Sequence, residues 1–264
     1  MTRNFINITC FWFFAAKFPF IWQNTIVQDL KMADERDDTK SPPMKKEKAA
    51  FKSTDAKTLD QQQIATGKWI SLNLITYQDP LGNKRTWEGV ERTTKSKDGG
   101  SDAVIIIPTL KRMYKFDCII LVKQFRPPLG CCTLEFPAGL VDPGESMEST
   151  AVRELKEETG YVGKVKYTSP VTTLDAGTGN CTASMVTVEI DGDLKANKKP
   201  VQEAEENEFI EVLKVPIGEL LNYLNVQSKE GFIVDARVYS YAIALAQASE
   251  PPLQEKPDLS SFDG

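Results

Sequence analysis

Histidine is absent from the sequence of 264 residues. The lack of imidazole excludes Ser-His-Asp and Cys-His catalysis, HExxH zinc sites, Cys2His2 fingers and a haem held by histidine. Any acid–base chemistry must therefore be carried out by aspartate, glutamate, lysine, tyrosine or cysteine.

Cysteine is scarce, and the five residues form neither a CxxC motif nor a paired spacing. An odd number without such spacing argues against a disulfide framework and against a structural zinc site. We therefore expect reduced thiols and a cytoplasmic or nuclear protein. The cysteines are Cys10, Cys118, Cys131, Cys132 and Cys181.

The sequence has no excess of basic residues. It contains 32 lysines and arginines and 37 aspartates and glutamates, which gives a net charge of −5. This balance argues against a nucleic-acid partner. If the substrate is an anion, an acidic protein needs metal ions to offset the repulsion. Hydrophobic residues make up 41% of the chain, which is enough for a folded core.

A membrane-spanning helix needs about 20 uninterrupted apolar residues, which this chain lacks. Residues 5–22 are strongly apolar and aromatic, but Lys17 and Pro19 interrupt them. We therefore expect no stable membrane insertion. A cleaved signal, an organelle-targeting segment and an isoform-specific extension remain open for this segment, and we favour the extension.

Residues 31–60 differ in composition, since 15 of these 30 residues are charged. Dense mixed charge with little hydrophobicity cannot offset the cost of ordering a backbone. We therefore predict an extension and disordered linker over residues 1–63, one folded domain over 64–248 and a loose tail over 249–264.

Strands and helices mix within residues 64–248 without a regular βαβ order. Alternating and β-branched segments predict strands, and the first two form a hairpin around a turn at 79–83. The fold class is therefore α/β of the mixed α+β kind. The predicted strands cover 69–77, 84–92, 104–110, 118–125, 171–174, 183–190 and 209–212, and the helices cover 147–159, 217–224 and 234–248.

The stretch from Gly139 to Tyr161, GLVDPGESMESTAVRELKEETGY, predicts a capped helix. Ser146 suits its N-cap, and Gly160 suits the position where a left-handed residue ends a helix. Apolar residues recur at helical spacing and predict the buried side of this helix. They are Met147, Ala151, Val152 and Leu155.

Three glutamates of that helix, Glu154, Glu157 and Glu158, are spaced to share one side of its last turns. They repel one another and lie near the negative end of the helix, so the arrangement is unfavourable without a cation. Because these ligands are all oxygens, we expect Mg²⁺, with Mn²⁺ as a substitute, rather than zinc.

The same stretch resembles the Nudix box, in which spaced glycines and glutamates surround an Arg-Glu pair and a Glu-Glu pair. This resemblance implies an α/β/α sandwich that uses Mg²⁺ to hydrolyse a nucleoside diphosphate linked to another moiety. The matching positions are Gly139, Glu145, Arg153, Glu154, Leu155, Glu157, Glu158, Gly160 and Tyr161.

The flanking segments resemble the ADP-sugar pyrophosphatase branch of that family. The branch often has a proline in the loop after the box, where this chain has Ala176. The resemblance implies a homodimer that converts ADP-ribose, or a related nucleotide sugar, to AMP and ribose 5-phosphate. The alternatives are hydrolysis of oxidised nucleoside diphosphates at the same site and a catalytically silent module that binds ADP-ribose. The segments are 85–88 (RTWE), 123–128 (KQFRPP), 135–139 (EFPAG) and 235–239 (DARVY).

The resemblance also implies the site residues. Arg153 would orient the glutamates, and Glu208 would act as the base or as the ligand of an additional metal. Glutamates at positions 203, 205, 206 and 211 compete for the role of Glu208. The implied metal ligands are Glu154, Glu157, Glu158, Glu208 and the carbonyl of Ala138, and the implied catalytic residues are Glu208, Glu157 and Arg153. The implied substrate contacts are Trp69, Trp87, Glu88, Arg92, Arg126, Glu135, Leu140 and Asp175.

The two arginines in the substrate set suit phosphate because a guanidinium binds it in a fork. The two tryptophans correspond to indoles that sandwich adenine in this branch, one from each subunit. The alternative interpretation places Trp69 and Trp87 in the core of the predicted hairpin.

Overall fold

The structure, a computed structural model, describes residues 52–95, 100–203, 206 and 208–249. Cys10, most of the predicted extension and the tail beyond Ser249 lie outside these ranges. The described strands are β1 Lys57–Thr66, β2 Ile70–Gln78, β3 Lys84–Arg92, β4 Ala103–Lys111, β5 Cys118–Arg126, β6 Cys131–Glu135, β7 Ala138–Leu140, β8 Lys164–Thr168, β9 Thr172–Thr173, β10 Thr182–Asp191, β11 Glu211–Pro216 and β12 Ile233–Val234. The helices are α1 Met147–Thr159, α2 Lys195–Lys198, α3 Leu220–Lys229 and α4 Ala236–Ser249, with short 3-10 turns at Ser53–Asp55 and Ile217–Glu219.

An antiparallel sheet in the order β1-β2-β3 contains the predicted hairpin. Its turn is built by Asp79, whose carboxylate accepts from the backbone N–H groups of Leu81 at 3.0 Å and Asn83 at 2.8 Å. Gly82 completes the turn at a φ of 87°, a left-handed conformation that glycine adopts without a steric penalty. The hairpin prediction is therefore confirmed.

The first strand was not predicted. The predicted extension and disordered linker over residues 1–63 is wrong for residues 57–63, which belong to β1, and the predicted boundary between residues 63 and 64 falls inside this strand. Every residue of β1 is exposed, so backbone pairing with β2, rather than burial, holds it in place. A strand that buries no side chain leaves no alternating hydrophobic pattern in the sequence.

A nine-stranded sheet forms the centre of the fold, in the order β12-β6-β5-β4-β10-β8, with β11 beside β5, β7 beside β4 and β9 beside β10. Alternate residues of β4 point to opposite faces. Val104 and Ile106 pack with the apolar side of α1, whereas Ile105 and Ile107 pack with α3 and α4. The predicted α/β/α sandwich is confirmed by these two cores.

Helix α1 covers the predicted residues. The Ser146 hydroxyl accepts from Ser149 N at its start, and Gly160 ends it at a φ of 74°. A Cβ at Gly160 would also lie 2.5 Å from Val201 N. Glycine is therefore required both for the left-handed backbone and for the close approach of Val201. The predicted apolar side is wrong at Val152, which is 36% exposed, whereas the charged Glu158 is only 5% exposed.

Three other predicted elements differ from the structure. Residue 234 belongs to β12, and the last helix begins only at Ala236. The strand expected at 209–212 is shifted to Glu211–Pro216, where it pairs with β5. The helix expected at 217–224 is a 3-10 turn followed by α3. No helix in the described part of the chain is both long and apolar enough to cross a membrane.

Candidate active site

Arg153 is the centre of the charged network on α1. Its Nη1 donates to Glu154 Oε1 at 2.7 Å and to Glu157 Oε2 at 3.1 Å. Its Nη2 donates to the Leu140 carbonyl at 3.1 Å and to Glu145 Oε2 at 2.9 Å. The guanidinium holds the pKa of Glu145 down at about 2. Arg153 therefore fixes both the helix carboxylates and the loop that precedes the helix.

Glu158 is the most deeply buried carboxylate of the site. Burial raises its pKa to about 8, a hydrogen bond from Ala138 N at 3.1 Å opposes that rise, and the charges of Glu154 and Glu208 add to it. Burial also raises the pKa of Glu154, against the effect of Arg153. The described protein groups therefore compensate these two negative charges only in part.

Glu208 lies close enough to Glu154 and Glu158 for its charge to raise the pKa of both. Two competing glutamates have other partners, since Glu203 pairs with Lys156 at 2.9 Å and Glu211 pairs with Lys123 at 2.6 Å. Position 205 lies outside the described residues.

The donor chemistry of this cluster fits a hard divalent cation. Two buried carboxylates with raised pKa values need a positive charge beside them, and oxygen-only donors suit Mg²⁺ or Mn²⁺. Within the described residues, no three acidic, cysteine or histidine side chains already surround a common point. Arg153 instead holds Glu154 and Glu157, and metal binding would draw these carboxylates away from it.

Arg126 and Glu135 form a forked ion pair beside the acidic helix. Nε and Nη2 of Arg126 donate to the two carboxylate oxygens of Glu135 at 2.7 and 2.6 Å. Thr133 donates to the same carboxylate. Arg126 interacts electrostatically with Glu158, so the ion pair borders the acidic cluster of α1. The predicted contact of Arg126 and Glu135 with a substrate stays a prediction.

Trp87 is fixed by the loop that follows β9. Its Nε1 donates to the Gly177 carbonyl at 3.0 Å, and its indole stays 52% exposed. Asp175 shapes that loop by accepting from Gly177 N at 3.2 Å through its carboxylate and from Gly179 N at 2.9 Å through its carbonyl. Asp175 thus orders the support of the indole. A cleft of about 400 Å³ lies against Trp87, Ile75, Tyr77 and Ala176.

The structure does not bring Trp69 to Trp87. Trp69 precedes the first residue of β2, whereas Trp87 pairs with Ile75, six positions from Trp69 along the chain. That offset is roughly 20 Å, too far for two indoles of one chain to cover both faces of one base. Trp69 is 60% exposed and lies under Lys68, whose Nζ is 4.5 Å from the ring centroid. Neither indole is in the core.

Two further predicted residues project away from the indole of Trp87. Side chains alternate along a strand, so Glu88 and Arg92 lie on the face of β3 opposite to Trp87. Both side chains are exposed on the sheet formed by β1, β2 and β3. In a single chain they therefore share no surface with the Trp87 cleft.

One charged pair beside the site was given no role by the sequence. Asp235 caps α4 by accepting from Arg237 N at 2.8 Å, and its carboxylate also pairs with the Arg237 guanidinium. The pair lies next to Glu135 because β12 runs parallel to β6, with Val234 beside Leu134. The segment 235–239 (DARVY) was already part of the resemblance to the ADP-sugar pyrophosphatase branch. Because residues 135 and 235 are far apart in the sequence, their contact could not be predicted from it.

Comparison with known proteins agrees with this geometry. A model of the NUDIX domain matches residues 101–236. The chain is 46% identical over 195 residues to an ADP-sugar pyrophosphatase of Mus musculus, covering 74% of this chain and 89% of that protein. It is 41% identical over 203 residues to an ADP-ribose pyrophosphatase of Saccharomyces cerevisiae, covering 75% and 87%.

A solved structure described as an ADP compounds hydrolase has the same fold, with a TM-score of 0.53 at 17% identity, covering 76% of this chain and 96% of that one. The matched domain contains α1, its acidic cluster and the strands that position them. The chain therefore belongs to the Nudix hydrolase family.

Proposed function

We propose that this chain hydrolyses the diphosphate bond of ADP-sugars, chiefly ADP-ribose, to AMP and ribose 5-phosphate. The observation that carries the proposal is the acidic cluster on α1, in which Arg153 pairs with Glu154 and Glu157 and in which Glu158 is buried. The substrate class is supported by the mouse and yeast relatives, whose names specify ADP-sugars and ADP-ribose.

Mg²⁺ is the proposed cofactor, with Mn²⁺ as a substitute. Glu154, Glu158 and the Ala138 carbonyl would hold it, with Glu157 and Glu208 as further ligands. Bound Mg²⁺ would neutralise the diphosphate and lower the pKa of a water molecule.

The chain's own residues have separate tasks in this proposal. Water attacks one phosphorus, the bond from that phosphorus to the bridging oxygen breaks, and Glu208 accepts the proton of the water. Arg153 holds the orientation of Glu154 and Glu157 before the substrate binds. Arg126 offers its outer N–H groups to phosphate, since Glu135 occupies only its Nε–Nη2 edge.

A homodimer is part of the proposal. The indole of Trp87 borders an open cleft, and the indole of Trp69 in the same chain is about 20 Å away along the sheet. A second subunit would bring its Trp69 to the other face of the adenine. We also infer a cytoplasmic or nuclear location, which the free thiols of the four described cysteines support.

A panel of nucleotide sugars and oxidised nucleoside diphosphates, assayed with and without Mg²⁺, tests the function. We expect the highest kcat/KM for ADP-ribose, activity only with a divalent cation and its loss in Glu158→Gln. A higher kcat/KM for the oxidised nucleotides would favour the second hydrolase activity. Tight binding of ADP-ribose without turnover of any compound would instead favour the silent module.

A further inference from the structure

Two carboxylates lie side by side where β6 and β12 end. These strands are parallel neighbours with Leu134 beside Val234, so Glu135 and Asp235 follow on adjacent strands, about 4.8 Å apart along the sheet. Their side chains are only 12% and 16% exposed. Two neighbouring, mostly buried negative charges require compensation.

An arginine covers each carboxylate, and both arginines use the same edge. Arg126 donates through Nε and Nη2 to Glu135, and Arg237 donates through Nε at 2.7 Å and through Nη2 to Asp235. The two arginine side chains remain 44% and 41% exposed. Within the described residues, the hydrogen bonds of each guanidinium engage only that edge, so neither Nη1 group donates to these residues.

This four-residue charge cluster (Arg126, Glu135, Asp235 and Arg237) adjoins the metal ligands. A cavity of about 20 Å³ is lined by Glu135, Asp235, Arg237 and Ala138. That volume holds about one water molecule, so the substrate would lie across its opening and not inside it. The cluster therefore continues the surface on which the diphosphate would be cleaved.

The chemistry of the cluster differs from that of the Trp87 cleft. Guanidinium groups bind phosphate oxygens, and carboxylates accept hydrogen bonds from sugar hydroxyls. Phe136, the aromatic residue at the cavity, is 3% exposed and offers no face for stacking. The exposed indole of Trp87 instead suits a purine. The two halves of an ADP-sugar thus match two different surfaces.

We propose that Arg126 and Arg237 form a subsite for the sugar-phosphate half of the substrate, and that Arg237, held in place by Asp235, selects this half. The proposal rests on the function proposed above, which supplies the substrate. It assigns Arg237 a substrate contact in addition to its ion pair with the helix cap.

The test compares three variants in the presence of Mg²⁺. Asp235→Asn with Arg237→Met removes both charges together, and asparagine still caps the helix, so no buried charge is left unpaired. Asp235→Asn alone keeps the guanidinium. Lys111→Met with Glu189→Gln serves as the control. It removes an ion pair at the end of β4 that is far from Ile105, the residue of β4 that lines the cavity.

Direct binding of ribose 5-phosphate and of AMP is measured by calorimetry, together with the KM and kcat for ADP-ribose. For the Asp235→Asn, Arg237→Met variant we expect ribose 5-phosphate affinity to fall, and KM to rise, by about 10-fold or more, because a charge-assisted hydrogen bond is lost. AMP affinity and the melting temperature should stay near those of the wild type. Asp235→Asn alone should lose less affinity, and the control none.

Any of three results would overturn the subsite. The first is wild-type affinity of the Asp235→Asn, Arg237→Met variant for ribose 5-phosphate, and the second is no binding of ribose 5-phosphate by the wild type. The third is an equal loss of AMP affinity, which would place Arg237 at the AMP half of the substrate. If the wild type hydrolyses no ADP-sugar but binds ribose 5-phosphate through Arg237, the proposed function fails and the subsite stands.

Discussion

Gly139 lies directly against the carboxyl group of Glu154. A Cβ atom at position 139 would be 1.8 Å from Glu154 Cδ and 2.0 Å from its Oε1. Glycine therefore allows β7 and α1 to approach closely enough for this carboxylate to face the strand. The glycine of the motif is required by close contact with a metal-ligand candidate, not by an unusual backbone angle.

Gly139→Ala should displace the Glu154 carboxylate while leaving the fold intact. We expect kcat to fall by about 100-fold, since a misplacement of about 1 Å can have that effect. Gly218→Ala is the matched control, because its Cβ would meet no atom within 4 Å. Wild-type turnover by Gly139→Ala would contradict the assignment of Glu154 to the metal site.

Glu158→Gln should lower kcat by orders of magnitude without unfolding the protein. In the absence of divalent cations its melting temperature near pH 7 should rise, because burial raises the pKa of Glu158 to about 8 and so lowers the stability of the folded state above the ordinary pKa of a glutamate, a cost that the neutral amide does not carry. In a domain of this size, each kcal/mol gained in the free energy of unfolding raises the melting temperature by about 2–4 °C. Glu148→Gln on the same helix, whose carboxylate accepts a hydrogen bond from Thr168, should leave kcat unchanged and should not raise the melting temperature. Thermal melts in EDTA and steady-state kinetics measure both.

Glu208→Gln should reduce kcat far more than it changes KM if the residue takes the proton in the transition state. The Gln variants at positions 203, 205 and 206 should be close to wild type, and Glu203 is already paired with Lys156. A damaging effect at one of those positions, with little effect at 208, would move the base to that glutamate.

Trp87→Ala should raise KM for ADP-ribose by about 5- to 150-fold, since stacking on one base contributes about 1–3 kcal/mol. Mixing Trp69→Ala chains with Trp87→Ala chains tests whether the site is shared. A mixed dimer has one site with both lesions and one with neither, so part of the high-affinity activity should return. No recovery, with subunit exchange confirmed by mass spectrometry, would mean that adenine is not held between subunits.

Truncation tests the proposed domain boundary. A chain that begins at Lys52 should keep the activity and melting temperature of the full chain, because β1 and its pairing remain. A chain that begins at Gly67 should be less stable, since the backbone of β2 loses its partner along ten residues of β1. A stable, active chain from Gly67 would show that β1 is dispensable and would support the predicted boundary near residue 64.

Local chemistry made part of this protein predictable. Short segments of neighbouring residues predicted three features: the caps and apolar spacing of α1, the turn at 79–83 and the acidic cluster. Such patterns act over a few positions, so they are readable without a fold. The resemblance to the Nudix box rests on the same short-range spacing.

Other features depended on contacts between distant segments. Val152 and Glu158 both lie on α1, yet the position of β7 buries the glutamate and leaves the valine exposed. β1 was missed because backbone pairing, which any residue but proline supports, carries no side-chain signature.

The sequence by itself determined the family and the acidic helix, because these follow from residue types at fixed short spacings. Only the tertiary structure placed Glu208 of the 203–211 loop near Glu154 and Glu158, with Arg126 also near Glu158. It also placed Asp235 and Arg237 beside Glu135, about one hundred residues away along the chain. Parallel pairing of β6 and β12 makes that contact, and hydrogen bonds between strands do not depend on separation in sequence.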